Sequence, residues 1–314
     1  MAPVTRFAPS PTGRMHAGNI FAALVAWLEV KSRLGSVVLR IEDLDRDRSK
    51  APYIDSIPRD FELLGLTWDE GPYFQHDRDE AYERYFKVLD DRGLLYPCFC
   101  TRADLLSASA PHRGEKTVYS GRCRALSETE VLRASQSRSP AFRVLVPSEE
   151  YALVDGFQGG YAQNLATECG DFIVRRSDGA FAYQLAVVAD DGEQGVDTIV
   201  RGVDLLCSTP QQLYLQDLFG FAHPSYFHVP LLVATSGVRL SKRNHDASLD
   251  DLLRVFGTPE GVIGYVGFVT GIIDEFAPMS PSDMLPYYDA ARLRALWKGK
   301  IEIPWIAPQA NPAV

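Results

Sequence analysis

The chain has 314 residues, 46% of them hydrophobic and 23% charged, with a formal net charge of −9. That length gives room for a sizeable core and about two domains, and the acidic balance excludes a protein that grips nucleic acid over its whole surface. No run of some 18 apolar residues occurs, so no membrane-spanning helix is expected, and five cysteines, two of them in a C-x-C, argue against a secreted disulfide framework and for a reducing cytoplasm. The sequence goes straight into a predicted strand, and no signal peptide is expected.

The stretch from Arg6 to Asn19, R-F-A-P-S-P-T-G-R-M-H-A-G-N, reads as a short strand, a turn through two prolines and a glycine, and the opening of a helix. From Ile20 to Leu34, residues Phe21, Leu24, Val25, Leu28 and Val30 fall at roughly helical spacing. Strand, glycine-containing turn and helix N-terminus together make an anion site, because unpaired backbone N–H groups and the helix dipole point at whatever sits there. His16 stands just before that helix, where its imidazole can add a donor. H-x-G alone fits an ordinary βα turn with a surface histidine equally well. Next, Val37 to Asp43 predicts a strand with Glu42 at its carboxyl end, where ligands bind in open parallel α/β sheets. A carboxylate there can take an ammonium; the plainer alternative is an ion pair with Arg40 or Arg46. Helices are predicted over 52–65 and 79–92, each ending at a glycine, with Tyr82, Tyr85, Phe86 and Leu89 as core.

Cys98 and Cys100 can reach one metal if the backbone turns between them, and Cys123 can return to the same point after an intervening loop. Soft thiolates suggest Zn²⁺ in a closed, four-coordinate structural site. Three cysteines leave one position, for which His112 is the ordinary guess; three buried reduced cysteines are the alternative without metal. Cys169 and Cys207 read as small buried hydrophobes. Ser127 and Glu130 form a capping-box signal for a helix over 127–135, followed by a strand over Ala141–Val146. A hairpin is expected around Ser177-Asp178-Gly179, with arms at 173–176 and 181–185, and Val187 to Asp191 is expected to open a second half-sheet. The strand 198–202 puts Arg201 at its end beside Asp204. Thr209 reads as the cap and Pro210 as the first residue of a helix to Phe219. Phe227 to Ala234 is the last predicted strand and delivers the basic loop Arg239-Leu240-Ser241-Lys242-Arg243. Helices over 249–256 and 260–270 follow, with a helical patch near 289–297 in the proline-rich tail.

H-x-G at the start of the first βα unit, with L-S-K-R near the end of the sheet, resembles the paired nucleotide-binding signatures of class I aminoacyl-tRNA synthetases. R-F-A-P-S-P-T-G, L-R-I-E-D-L-D and I-V-R-G-V-D-L-L-C-S-T-P-Q-Q look like the glutamyl branch, and the resemblance covers roughly residues 3–270. It implies an α/β fold: a Rossmann-type class I synthetase catalytic domain with an inserted smaller lobe carrying a zinc-binding segment. The expected divisions are 1–93 and 171–247 as the two catalytic halves, 94–125 as the zinc segment, 126–170 as the inserted lobe, and 248–314 as a C-terminal helical region. The resemblance places ATP on His16, Gly18, Asn19 and the loop Arg239, Leu240, Ser241, Lys242 and Arg243, with Mg²⁺ accompanying it and Lys242 as the charge at the phosphates. It carries glutamate contacts onto Arg6, Ala8, Ser10, Glu42, Tyr183 and Arg201. Arg6 and Arg201 offer two forks for the two carboxylates.

Within that branch, Cys-x-Cys followed by Tyr-x3-Cys resembles the short glutamyl-queuosine tRNA(Asp) synthetase family, and it puts Tyr119 near a metal with Cys98, Cys100 and Cys123. Val187 stands where full-length glutamyl synthetases have Asn. Those enzymes also carry a long helical anticodon-binding region after the L-S-K-R helices, whereas about seventy residues follow Arg243 here. No anticodon-binding domain is therefore expected. The resemblance implies ATP-dependent activation of L-glutamate and its transfer to the queuosine base of the tRNA(Asp) anticodon loop. A truncated glutamyl-tRNA synthetase charging a tRNA 3′ end, and a non-catalytic amino-acid- or tRNA-binding remnant, are the alternatives. The expected partners are ATP, L-glutamate and tRNA(Asp) bearing queuosine, met by a cytoplasmic monomer. A local basic patch for RNA would draw on Arg122, Arg124, Arg133, Arg138 and Arg143.

Overall fold

A computed structural model of the chain describes residues 2–101, 118–234, 248–297 and 300–303. His112 and the loop residues Arg239, Leu240, Ser241, Lys242 and Arg243 lie outside the described residues. Three strands, β1 (Val4–Phe7), β2 (Ser36–Ile41) and β3 (Glu70–Phe74), pair in parallel in the order β1-β2-β3. Val37, Val38, Leu39 and Ile41 are all buried, as in a parallel sheet covered on both faces. The helix α1 (Ala17–Lys31) links β1 to β2 and is buried almost all round, from Ile20 to Val30.

A three-stranded antiparallel sheet follows, ordered β4-β5-β8 from β4 (Leu95–Cys98), β5 (Ala141–Val144) and β8 (Phe172–Arg175). It takes one strand from each of three expected segments. Between β5 and β8 lies a hairpin of β6 (Glu150–Asp155) and β7 (Gly159–Asn164). Ser127 caps the helix Glu128–Ser135, with both hydrogen bonds of the capping box formed. A second parallel pair, β9 (Thr198–Gly202) and β10 (Ser225–Val229), meets the edge of β1, where Asp197 N–H donates to Val4 O at 3.0 Å.

Three elements differ from expectation. The hairpin at Ser177-Asp178-Gly179 is only a turn with one bridge, Arg175 to Phe181, after which Tyr183–Glu193 is a helix. Val187 to Asp191 therefore lie in that helix and open no strand. The helix is buried on all sides from Leu185 to Asp191, and a continuous apolar run does not distinguish a buried helix from a buried strand. Thr209 is the first residue of the helix Thr209–Phe219 and not its cap. The last predicted strand breaks at Pro230 into β10 and β11 (Leu231–Ala234), and β11 pairs in parallel with a further strand, β12 (Lys300–Ile303). Trp297, just before β12, is 1% exposed and packs edge-on to Phe21 and Phe157, at 5.1 and 4.7 Å between ring centroids. The helices Leu249–Phe256 and Pro259–Val269 fall where expected. Among the described residues, no helix is long and apolar enough to cross a membrane.

Candidate active site

At the carboxyl ends of β1, β2 and β9 lies a cavity of about 510 Å³. It brings together six residues from distant parts of the chain: Arg6, Ala8, Ser10, Glu42, Tyr183 and Arg201. His16, Gly18 and Asn19 border the same cavity from the start of α1.

The helix start is already self-capped. His16 Nδ1 accepts the Gly18 N–H at 3.1 Å, and Asn19 N–H donates to the His16 carbonyl at 2.8 Å. The backbone amides expected to hold an anion are thus engaged by the cap. Because Nδ1 accepts, the neutral ring carries its proton on Nε2. Glycine at 18 has a steric reason: a Cβ there would lie 3.2 Å from the His16 ring. Ser248, which caps the helix Leu249–Phe256, bridges to His16, and β11 runs along the same cavity. Leu231 and Leu232 of that strand line the cavity.

The two arginines expected to be equivalent forks are not equivalent. Arg6 donates through Nε to Asp191 and through Nη1 to the Val200 carbonyl, both at 3.2 Å. Its charge is met by a buried carboxylate. Arg201 donates through Nε to His228 Nε2 at 3.0 Å and through Nη2 to Thr209 Oγ1 at 2.8 Å. Its Nη1 is buried with no hydrogen-bond partner among the described residues, and Arg201 lines the cavity. An unpaired buried guanidinium nitrogen costs a full desolvation penalty unless a ligand satisfies it.

Glu42 supplies the opposite charge. The pairing with Arg40 anticipated as the plainer alternative exists only as a long contact of 3.4 Å, because Arg40 Nη2 donates to Asp191 at 2.8 Å and Nη1 to Gln194 at 2.7 Å. Burial pushes the Glu42 carboxyl up against the pull of Arg40 and Arg6, so an added cation would be welcomed there. Burial, and then Glu42, push the Tyr183 phenol up, keeping it a hydroxyl.

Several functional residues escape a reading by motif. Asp191 holds Arg6 and Arg40, and Asp190 receives Gln75, Arg78 and Tyr82 from the other side of the same helix. The available signal is the pair of acids ending the apolar run A-V-V-A-D-D, since buried charges need partners. His228 and Asp155 carry no comparable signal.

At the end of β4 a second cluster forms. The sulfurs of Cys98, Cys100 and Cys123 lie within 4.8 Å of one another. Tyr119 Oη is 3.5 Å from Cys98 Sγ and 3.8 Å from Cys100 Sγ, and it accepts the Cys123 N–H at 2.9 Å. Tetrahedral Zn²⁺, with Zn–S of about 2.3 Å, spaces its sulfurs by about 3.8 Å. The donors present therefore fit a tetrahedral metal with the phenol at the fourth corner. Arg143 donates through Nε to Cys98 Sγ at 3.2 Å, and its guanidinium lies 3.7 Å over the Tyr119 ring. Burial opposes ionisation of Cys98, but hydrogen bonds from Arg143 and Tyr119 outweigh it and draw the thiol down. Burial and the Cys123 hydrogen bond push Cys100 up to about 11.

Of the five arginines expected to form a basic patch, Arg143 is buried and cannot contribute; Arg124 pairs with Asp171 at 2.5 Å, and Arg133 and Arg138 are exposed, Arg138 donating to the Phe99 carbonyl at 3.2 Å. Cys169 and Cys207 are half-buried and donate to the Gly170 and Asp204 carbonyls, so neither is the buried hydrophobe expected.

Residues 3–263 match the family described as "tRNA synthetases class I (E and Q), catalytic domain". The chain is 43% identical over 300 residues to the glutamyl-Q tRNA(Asp) synthetase of Nitratidesulfovibrio vulgaris, covering 92% of each chain. It is 40% identical over 301 residues to the protein of that name from Symbiobacterium thermophilum, covering 92% of this chain and 93% of the relative. Among solved structures, a glutamate tRNA ligase from Elizabethkingia meningosepticum in complex with its amino acid superposes with a TM-score of 0.80 at 26% identity, covering 98% of this chain and 68% of the other.

Proposed function

The chain belongs to the class I tRNA synthetases of the glutamyl and glutaminyl kind, and from that premise we propose that it is an ATP-dependent ligase that activates L-glutamate and transfers it to the queuosine base of the tRNA(Asp) anticodon loop. In the first step a glutamate α-carboxylate oxygen attacks the α-phosphorus of ATP, and the bond to the leaving pyrophosphate breaks. This needs positioning and cations more than covalent help. One glutamate carboxylate pairs with Arg201 Nη1, the ammonium sits against Glu42, and Tyr183 offers its hydroxyl. Arg6, Ala8 and Ser10 complete the amino-acid side, with Arg6 held by Asp191. His16, Gly18 and Asn19 take the nucleotide side. Lys242, flanked by Arg239, Leu240, Ser241 and Arg243, brings a point charge to the phosphates. ATP comes with Mg²⁺. Such an ion is ordinarily carried by the substrate phosphates and water.

In the second step a hydroxyl of the queuosine cyclopentene ring attacks the carbonyl of the glutamyl adenylate, and AMP leaves. The activation site is the one a ribose hydroxyl would use, so only the docking surface differs. Cys98, Cys100, Tyr119 and Cys123 would hold Zn²⁺ in a structural role, tying the end of β4 to the segment around Tyr119. On this reading the enzyme works as a monomer in the cytoplasm.

The observation that carries this reading is Arg201 Nη1, a buried cationic donor without a partner among the described residues, in a cavity that also presents Glu42. ATP–pyrophosphate exchange with each amino acid, measured without tRNA, tests it. Exchange with glutamate alone is expected, because every proposed amino-acid contact lies in one cavity. Exchange that appears only when tRNA is added, or with an amino acid lacking a second carboxylate, counts against it.

A further inference from the structure

Arg40 and Arg6 both touch carboxylates, but Arg201 touches none among the described residues. Its Nε instead donates to the imidazole of His228, whose Nδ1 lies 2.6 Å from Asp155 Oδ2. Since Nε2 accepts from Arg201, the ring proton sits on Nδ1 and is donated to Asp155. We propose that Asp155 and His228 form a positioning pair that orients the Arg201 guanidinium through a neutral acceptor, leaving its charge unneutralised for the substrate carboxylate. This deepens the assignment of Arg201 as a glutamate contact and rests on it.

The pair is built for that task. His228 and Asp155 are both fully buried. Asp155 also accepts the backbone N–H groups of Phe157, Gln158 and His228, at 3.0, 2.8 and 3.1 Å. Those donors absorb much of its negative charge and fix the carboxylate at the end of β6. Gln158 Nε2 then reaches back to the His228 carbonyl at 2.7 Å, clamping β10 to the β6-β7 turn. On its other face the imidazole stacks on Tyr226, with an interplanar angle of 10°. Burial and Arg201 both disfavour a charged ring, against the pull of Asp155, and the net direction is down. A carboxylate in the place of His228 would align Arg201 equally well but would neutralise it, as Asp191 does Arg6. Coulomb attraction falls with distance, so placing Asp155 one ring further away keeps the alignment and preserves the charge.

The test compares His228→Leu, His228→Gln and His228→Glu by steady-state activation kinetics, with Arg201→Ala measured alongside. His228→Leu removes the acceptor and should raise the glutamate KM about tenfold or more, the cost of one charge-assisted hydrogen bond, with the ATP KM unchanged. His228→Gln keeps a neutral acceptor and should recover most of the affinity. His228→Glu keeps an acceptor but neutralises Arg201, so its glutamate KM should exceed that of His228→Gln. A normal glutamate KM in His228→Leu while Arg201→Ala is impaired overturns the pair's role alone. A normal glutamate KM in Arg201→Ala removes the contact on which the pair depends. If His228→Leu does not fold, equal glutamate KM values in His228→Gln and His228→Glu overturn the proposal.

Discussion

Arg201→Ala is expected to raise the glutamate KM by two to three orders of magnitude while leaving the ATP KM near its starting value. Truncating one partner of a buried charge pair costs roughly 3–4 kcal/mol, because the substrate carboxylate enters a closed cavity and finds no countercharge. The enzyme's own fold should tolerate the change. Arg201 holds no carboxylate in the described structure, so its removal strands neutral His228 and Thr209 and no buried charge. Arg201→Lys keeps the charge but loses the planar fork, and should fall between wild type and alanine. Arg6→Ala should weaken glutamate less than Arg201→Ala, since Asp191 already meets the Arg6 charge at 3.2 Å. Michaelis constants for glutamate and ATP from exchange kinetics decide the matter. Equal losses for both substrates in Arg201→Ala, or a larger glutamate defect in Arg6→Ala, would refute this division of roles.

Cys123→Ser should release a metal and lower the melting temperature. The three thiols and the Tyr119 hydroxyl converge with spacings that match a tetrahedral ion. Binding to the folded state alone adds about 4 kcal/mol when free metal is a thousandfold above its dissociation constant. Losing it should lower Tm by roughly 10 °C. Elemental analysis of wild-type protein purified without chelator should find about one zinc per chain, and of Cys123→Ser none. Tyr119→Phe separates the fourth ligand from the thiols: it should weaken metal retention and leave the three sulfurs in place. Metal-free wild-type protein with an unchanged Tm would remove the metal from the account.

Much of this site is legible in sequence because its residues sit at element ends with recognisable local chemistry. H-x-G precedes a helix, Glu42 follows a β-branched strand, and Arg201 ends another. Gly18 is legible from the motif, and the structure adds that a Cβ there would crowd the His16 ring. What the sequence does not show is that His16 caps this helix start itself, because the geometry that attracts anions to a helix N-terminus also suits a side-chain acceptor. Asp191 and His228 escape for a different reason. Their partners lie 185 and 73 residues away respectively, in Arg6 and Asp155. No local pattern encodes such pairings, which arise only when the sheet halves meet. Burial on every side erases the periodicity of the helix Tyr183–Glu193, so its apolar run resembles a strand. Sequence shows the charges of Arg124 and Arg143 but not Asp171, which holds Arg124 and whose carbonyl accepts from Arg143.

The identity of the acceptor is tested most directly by labelled glutamate. Protein, ATP and the label are incubated with tRNA(Asp) from cells that make queuosine and from cells that do not, and with tRNA(Glu). After ribonuclease digestion, label is predicted in the anticodon fragment of queuosine-containing tRNA(Asp) alone. Label on the 3′-terminal adenosine of tRNA(Glu), with none in that anticodon fragment, would contradict the account.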